Sequence, residues 1–264
     1  MLEIKNTKVY NFDGAFRGMR NPLNSWSKSD SYFNLISTKN DPQGLAEVVD
    51  KWKEKDKFED ESAIIDWLMR NSILNYNIFN GTADVAYIGP TDLDLAQRLI
   101  TAGNEHGKFM RQVFVSMDIS APLYWLKELD TYKVSTTANS TSTMHKLTST
   151  AFKHNMFSFD GGAESLEDPV FDTYVDNIIE MCENLRVKYL ETKDKKYWRA
   201  LVQILPEGFI QTRTWTASYA VLRNIYFQRK GHKLNEWQIF NNYIKTLPYA
   251  NDLICLGEEG EENE

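Results

Sequence analysis

The sequence is poor in the side chains that build metal sites and disulfides. Two cysteines, Cys182 and Cys255, and four histidines, His106, His145, His154 and His232, are all it has in 264 residues. No His-X-His or His-X3-His pair occurs, and the cysteines lie far apart, so neither a zinc site nor a disulfide framework is expected. Cys182 falls on an apolar helical stripe and reads as a buried free thiol. No run approaches the roughly 18 uninterrupted apolar residues of a spanning helix, so no membrane span is expected. The opening MLEIKNTKVYNF lacks the basic start and apolar stretch of a signal peptide. A cytoplasmic, reducing location is therefore expected. Also missing are a P-loop, a Gly-X-Gly-X-X-Gly turn, a Gly-X-Ser-X-Gly elbow, a Ser-His-Asp order and a paired carboxylate. Hydrolase and P-loop chemistry are left without support.

Positive charge is also in short supply. The net charge is −7, and five of the negative charges sit in the last seven residues, EEGEENE. The body is thus close to neutral, with residues 251–264 forming an acidic tail that reads as solvated and disordered. A duplex-tracking protein would carry a net basic domain, so binding to duplex nucleic acid is not expected. A pocket for a mononucleotide remains compatible with this balance.

Aromatic residues, by contrast, are plentiful: 7 Trp, 13 Tyr and 14 Phe. They supply buried area or stacking surfaces for flat rings. Leu2 to Phe12 reads as a strand, and GAFRGMRNPLNSW after it as a basic loop in which Arg17 and Arg20 either clamp an anion or merely face solvent. Residues 38–62 read as a surface helix flanked by loops, and residues 62–74 as a further helix. Thr91 or Asp92 is expected to cap a helix with the stripe Leu95, Leu99 and Ile100 that stops near Gly103. Val113, Val115, Met117 and Ile119 alternate as a strand, and Ser120-Ala121-Pro122 starts a helix. Asp168-Pro169 opens a long helix through Phe171, Ile178, Cys182 and Leu185. Helical segments are also expected over 197–205, over 216–230 with Gly231 as the stop, and over 234–247, with a short strand at 212–216 between the first two. Helices dominate and do not alternate with strands as βαβ units, which indicates an α+β fold in one domain over residues 1–250.

The segment richest in chemistry is Ser135 to Thr143, STTANSTST, in which eight of nine residues carry a hydroxyl or an amide. It is either a plain polar loop or a set of donors for phosphate and sugar oxygens, flanked by Lys133 and Lys146. Three further groups stand out: Glu105-His106; Gln211-Thr212 and Trp215-Thr216 leading to Arg223, Asn224 and Arg229; and His232 with Asn235 and Glu236. Each also has an ordinary structural explanation, such as a helix-terminal histidine, a surface cation or a capping asparagine.

The order of these motifs resembles that of the flavin-dependent thymidylate synthases. There, a Glu-His pair precedes a strand and an Ala-Pro turn, and a helix then ends in an Arg-His-Arg signature followed by Ser, Asn, Ser and Arg-Tyr. Here the corresponding run is Glu105-His106, DISAP, LYWLKELDTYK and VSTTANSTSTMHK. Leu205-Pro206, Trp215-Thr216, the Arg223 helix and QRKGHKLNEW are similar to the second half of the family. FRGMRNP and DTYK look like a divergent, often phage-encoded branch. The resemblance spans roughly residues 90–247.

It implies a mainly helical domain around a small antiparallel sheet, and an enzyme of nucleotide biosynthesis that acts on dUMP or a related pyrimidine nucleotide by reductive one-carbon transfer. It implies FAD as cofactor, with NADPH and methylenetetrahydrofolate, in a homotetramer whose site lies between subunits. By position, Lys127, Glu128, Asn139, Ser142, His145 and Arg223 would bind the nucleotide. His106, Tyr132, Lys133, Asn224, Arg229 and His232 would bind the cofactor, and no catalytic residue is assigned. The chain departs from the pattern where Thr131-Tyr132-Lys133 replaces Arg-His-Arg, Lys127-Glu128 replaces Arg-Gln, and Met144-His145 replaces Arg-Tyr. Each exchange removes charge or a bidentate fork. The alternative is therefore a descendant of the same fold that binds nucleotide or a partner protein without catalysis.

Overall fold

The structure is a computed structural model that describes residues 1–37, 74–77, 82–159 and 169–257. The helix expected over 38–62, the one expected over 62–74 except for Leu74 (which opens a strand), the Asp168 end of the long helix and residues 258–264 of the acidic tail lie outside the described residues. In chain order the elements are β1 (Glu3–Tyr10), α1 (Phe12–Arg20), β2 (Tyr32–Ser37), β3 (Leu74–Asn77), β4 (Thr82–Tyr87), α2 (Pro90–Thr101), β5 (Phe114–Pro122), α3 (Leu123–Leu129), β6 (Thr137–Ser140), α4 (Thr143–Lys146), α5 (Pro169–Thr192), α6 (Lys195–Ile204), β7 (Ile210–Ser218), α7 (Tyr219–Arg229), α8 (Asn235–Ile244) and α9 (Ala250–Leu253). The fold is mixed helix and sheet with a small antiparallel sheet. No helix among the described residues is long and apolar enough to cross a membrane.

The chain divides into two compact units. The first comprises Met1–Lys8, Ser116–Ala217 and Arg229–Phe240. Its sheet has the order β1-β5-β7-β6. In β5, Val115, Met117 and Ile119 are all fully buried, as alternation requires of a sheet with one covered face, and so is Val113 just before the strand. Ala121 and Pro122 prolong the strand, so α3 begins one residue beyond the expected Ser-Ala-Pro start, with Pro122 as its N-cap. In β1, Asn6 adopts φ 52°, and the half-buried positions pass from Ile4 to Thr7 and Val9 across it. Asparagine tolerates this left-handed conformation better than most residues.

Aromatic rings fill the covered side of that sheet. Trp125 of α3 lies 4.7 Å from Trp237 of α8, centroid to centroid, and both meet Phe240, which also reaches Trp215 of β7. A second apolar cluster joins Leu147, Phe152 and Phe157 to Val175, Ile179 and Cys182 of α5 and Leu201 of α6. Burial pushes the Cys182 thiol up to about 11, which leaves it unreactive at neutral pH.

The second unit comprises Val9–Val115, Ser218–Gln228 and Asn241–Glu264. Here the expected basic loop is corrected. Residues 12–20 form α1, because Phe12, Ala15, Phe16 and Met19 lie at helical spacing and all are buried. That burial outweighs the propensity cost of Gly14 and Gly18, about 1 kcal/mol each. Arg20 clamps no outside anion. Its Nε donates to Asp92 at 2.5 Å, and both side chains are buried. β2, β4 and β3 form an antiparallel sheet with Tyr32 opposite Tyr87 and Leu74 opposite Val85.

The cap of α2 is a second correction. Neither Thr91 nor Asp92 caps the helix; the Asp30 carboxylate, some 60 residues away in sequence, accepts from both of their backbone N–H groups at 2.9 and 3.1 Å. A Cβ at Gly89 would fall 2.2 Å from Asp30 Cγ, so only glycine admits this approach. Partial burial works against the charged carboxylate, but the Thr91 and Asp92 donors outweigh it and hold Asp30 below its ordinary pKa of 3.8. The stability this contributes is present above the unfolded pKa and is lost as pH falls through the folded one. Asp30→Ala should cost about 1 kcal/mol at pH 7. Thermal melts should show the gap to wild type closing below about pH 4.

Candidate functional site

The site is built where α3 ends in the first unit. Trp125, Leu126 and Leu129 are buried, which turns Lys127 and Glu128 toward the rim of the helix. Tight turns from Leu126 to Asp130, Glu128 to Thr131 and Leu129 to Tyr132 close the helix. Ser135 then adopts φ 60°, and the Thr136 hydroxyl donates to the Tyr132 carbonyl at 2.6 Å. A serine held in the left-handed region stores strain of order 1 kcal/mol or more, a cost that concentrates at functional loops. The chain emerges as β6, pairing antiparallel with β7 so that Asn139 lies opposite Thr214. The polar run expected as a loop is therefore partly a strand.

Four of the named residues meet in one cluster. Glu128 Oε2 accepts from the Trp237 indole N–H at 2.8 Å and lies 3.2 Å from Arg229 Nη1 and 3.5 Å from His232 Nε2. Arg229 Nε donates to the Tyr132 hydroxyl at 2.9 Å. The guanidinium lies 4.7 Å from the Trp237 ring centroid and 5.5 Å from that of Tyr132, an arrangement that suits its delocalised charge. His232 Nδ1 accepts from the Leu234 backbone N–H at 3.1 Å, which assigns the ring proton to Nε2. Beside the cluster, Tyr124 donates to the buried Glu236 at 2.7 Å.

Next to Tyr132 lies the hydroxyl-rich segment. Ser142 caps the short α4 by accepting from the His145 N–H at 3.3 Å. Lys133, Asn139, His145 and Lys146 are exposed, and neither Lys133 nor Lys146 makes an ion pair among the described residues. Gln211 Nε2 donates to the Thr141 carbonyl at 2.9 Å and faces the Thr143 hydroxyl at 3.2 Å, while Arg213 joins Gln211 to Asp130. On the open face of the sheet, Asp118 accepts from Asn6 at 2.8 Å and from Thr214 at 2.6 Å. These donors hold its carboxyl below the usual range. Ser120 and Thr212 share a hydrogen bond beside them.

The remaining named residues stand apart from the cluster in role or in place. Lys127 is exposed and paired with Glu207. Arg223 belongs to the second unit, where Nη1 donates to the carbonyls of Ile254 and Leu256 at 2.7 Å each; burial lowers its pKa. It closes the end of α9. Asn224 is exposed and accepts from Gln228. His106 is exposed at the start of a short 3-10 turn in the second unit. Sequence reasoning missed Trp237 as a site residue because its place on an apolar helical stripe reads as core. Asp118, sitting in a strand, carried no local signal.

Lys133 and Lys146 are exposed cations at either end of this hydroxyl-rich segment. They fit the phosphate of a nucleotide or of FAD and would hold it. The charge of Arg229 is already matched by Glu128.

No family model matches the sequence, and no curated protein is similar to it by sequence. Solved structures are similar in fold. One is thymidylate synthase X from Helicobacter pylori with FAD and dUMP, at TM-score 0.59 and 14% identity, covering 97% of this chain and 100% of that one. Another is a flavin-dependent thymidylate synthase from the same organism, also complexed with FAD and dUMP. It gives TM-score 0.58 and 14% identity, over 96% of this chain and 97% of that one. The likeness establishes the fold.

Proposed function

We propose that this protein is a flavin-dependent, thymidylate synthase-like enzyme acting on dUMP or a related pyrimidine nucleotide. The observation that carries the reading is the convergence of Glu128, Tyr132, Arg229 and His232 beside a phosphate-compatible segment, in a fold shared with proteins solved with FAD and dUMP. When bound, FAD would supply the hydride for reductive one-carbon transfer, with NADPH and methylenetetrahydrofolate as its partners. The chain's own residues would bind and orient. Lys133 and Lys146 take phosphate, Asn139 and neighbouring hydroxyls take sugar oxygens, and the Glu128 cluster faces the ring. In this reading the active form is a homotetramer of cytoplasmic, phage-type protein whose sites lie between subunits.

A second reading is a descendant of the fold that binds nucleotide without turnover. It is favoured by Arg223, whose guanidinium is spent on backbone carbonyls, and by the pairing of Arg229 with Glu128. One experiment separates the two. FAD is added to the purified protein, the bound flavin is reduced, and its reoxidation is followed with and without pyrimidine nucleotide and methylenetetrahydrofolate. Nucleotide-dependent reoxidation supports the enzyme. Absence of any flavin binding defeats it, and nucleotide binding without reoxidation selects the second reading.

A further inference from the structure

Helix α5 has two apolar sides. Val175, Ile179 and Cys182 are buried in one cluster with Phe152, Phe157 and Leu201. A second line runs through Val170, Tyr174, Asn177, Met181, Asn184 and Lys188, at alternating spacings of four and three, and all of these residues are exposed. That spacing is the seam along which helices pair side by side. Val170, Tyr174 and Met181 keep 61%, 63% and 53% of their accessible surface. The outer stripe of a helix is ordinarily charged, whereas this one has a single cation at its far end and no carboxylate. Scattered apolar residues on a surface need no explanation, but three in line on one helix mark a surface for contact.

Charge says what fits against it. Residues 169–181 carry Asp172, Asp176 and Glu180 and no lysine or arginine. Asp176 meets His154 at 2.9 Å, and Asp172 and Glu180 are exposed. Beyond the Glu183–Arg186 pair the sign reverses, because Lys188, Lys193, Lys195 and Lys196 outnumber Glu191 and Asp194. A helix acidic at one end and basic at the other complements itself when two copies lie antiparallel, and repels itself when they lie parallel. Contact about a two-fold axis requires this kind of self-complementarity. Within the exposed stripe, Met181 is the residue nearest the midpoint of Pro169–Thr192.

We propose that α5 is the docking surface for a second copy of this chain, with the two helices packed antiparallel about a two-fold axis at Met181. Met181 then meets its own counterpart, and Tyr174 meets the partner's Lys188, a ring against a cation on each side of the axis. The inference does not depend on the nucleotide reading; it names one interface of the assembly proposed with it.

Sedimentation of the full-length protein and of Met181→Glu tests the surface. The wild type should self-associate, and a charge at the axis should weaken that association about 30-fold or more. Met181 is exposed in the single chain, so the variant should keep the wild-type circular dichroism. Oxidative cross-linking tests the orientation, with the buried Cys182 and Cys255 silent. Met181→Cys should form a disulfide with itself, which needs Cα atoms within about 7 Å. Tyr174→Cys should not, since antiparallel packing holds the two copies of that position roughly 20 Å apart along the helices. A wild type that sediments as a monomer overturns the inference and the proposed assembly together. Association left unchanged by Met181→Glu overturns the α5 surface while the assembly stands. Failure of Met181→Cys to cross-link, or self-cross-linking of Tyr174→Cys, overturns the antiparallel packing about Met181. None of these results bears on nucleotide binding, which the flavin experiment reads separately.

Discussion

Replacing Asp92 with asparagine should destabilise the protein by about 3–5 kcal/mol, because it leaves a buried guanidinium without its counter-charge. Asp92 is fully buried and Arg20 is 4% exposed. The carboxylate accepts from Arg20 Nε, from the Ser29 hydroxyl at 2.6 Å and from the Ser31 N–H at 3.2 Å. An amide turned to accept from Arg20 must present its own N–H groups to Ser29 or Ser31, so at least one buried donor loses its partner. Arg20 Nη2 already has no hydrogen-bond partner among the described residues. The expected result is a fall of roughly 10 °C in the melting temperature. The double variant Arg20→Met with Asp92→Leu should recover most of that loss, because removing both charges also removes the desolvation they impose. If Asp92→Asn melts within about 2 °C of wild type, the pair does not hold the second unit together.

The second large effect is expected at Trp237. The indole is fully buried, packs at a tilt against Trp125 and holds Glu128 through its N–H. Trp237→Ala should cost about 3–5 kcal/mol through the cavity alone. It also removes one of the rings beside the Arg229 guanidinium and the indole N–H that hydrogen bonds to Glu128. Trp237→Phe separates the two roles. Most of the apolar area remains, and the lost hydrogen bond should cost about 1 kcal/mol. Nucleotide affinity should nevertheless fall several-fold in the phenylalanine variant, because the Glu128 carboxylate is then held by Arg229 and His232 only. A Trp237→Phe protein that binds nucleotide as tightly as wild type would confine Trp237 to packing.

Residues whose environment is local were the legible ones. The face Val113, Val115, Met117 and Ile119 announces β5 by alternation, and all four are fully buried. The stripe through Ile178, Cys182 and Leu185 lies on the α5 helix, and Gly231, at φ 73°, follows the end of α7. What failed was decided at a distance. GAFRGMRNP looked like a loop because its glycines are local, while the burial that makes it a helix is tertiary. The cap of α2 comes from Asp30, which no pattern around Thr91 could reveal. STTANSTST became a strand over Thr137–Ser140 because β7 offers it a hydrogen-bonding edge.

The candidate site divides in the same way. Glu128, Tyr132, Arg229 and His232 were each named through the family resemblance. Their mutual pairing was not, since it joins the end of α3 to the α7–α8 turn across a hundred residues. That pairing changes their chemistry, because an arginine matched by a carboxylate is not a free phosphate ligand. Arg223 shows the opposite case: a cation placed by pattern near a ligand is instead the partner of three backbone carbonyls.

The central claim is that a pyrimidine nucleotide binds against the Glu128–Arg229–His232–Trp237 cluster. The most direct measurement labels the tryptophan side chains with 15N and follows their indole N–H resonances while nucleotide is added, with Trp237 assigned by its loss in Trp237→Phe. The account predicts that the Trp237 resonance moves and saturates with the binding isotherm, since its N–H is bonded to the carboxylate that meets the ligand. Saturable binding that leaves the Trp237 resonance in place would contradict it.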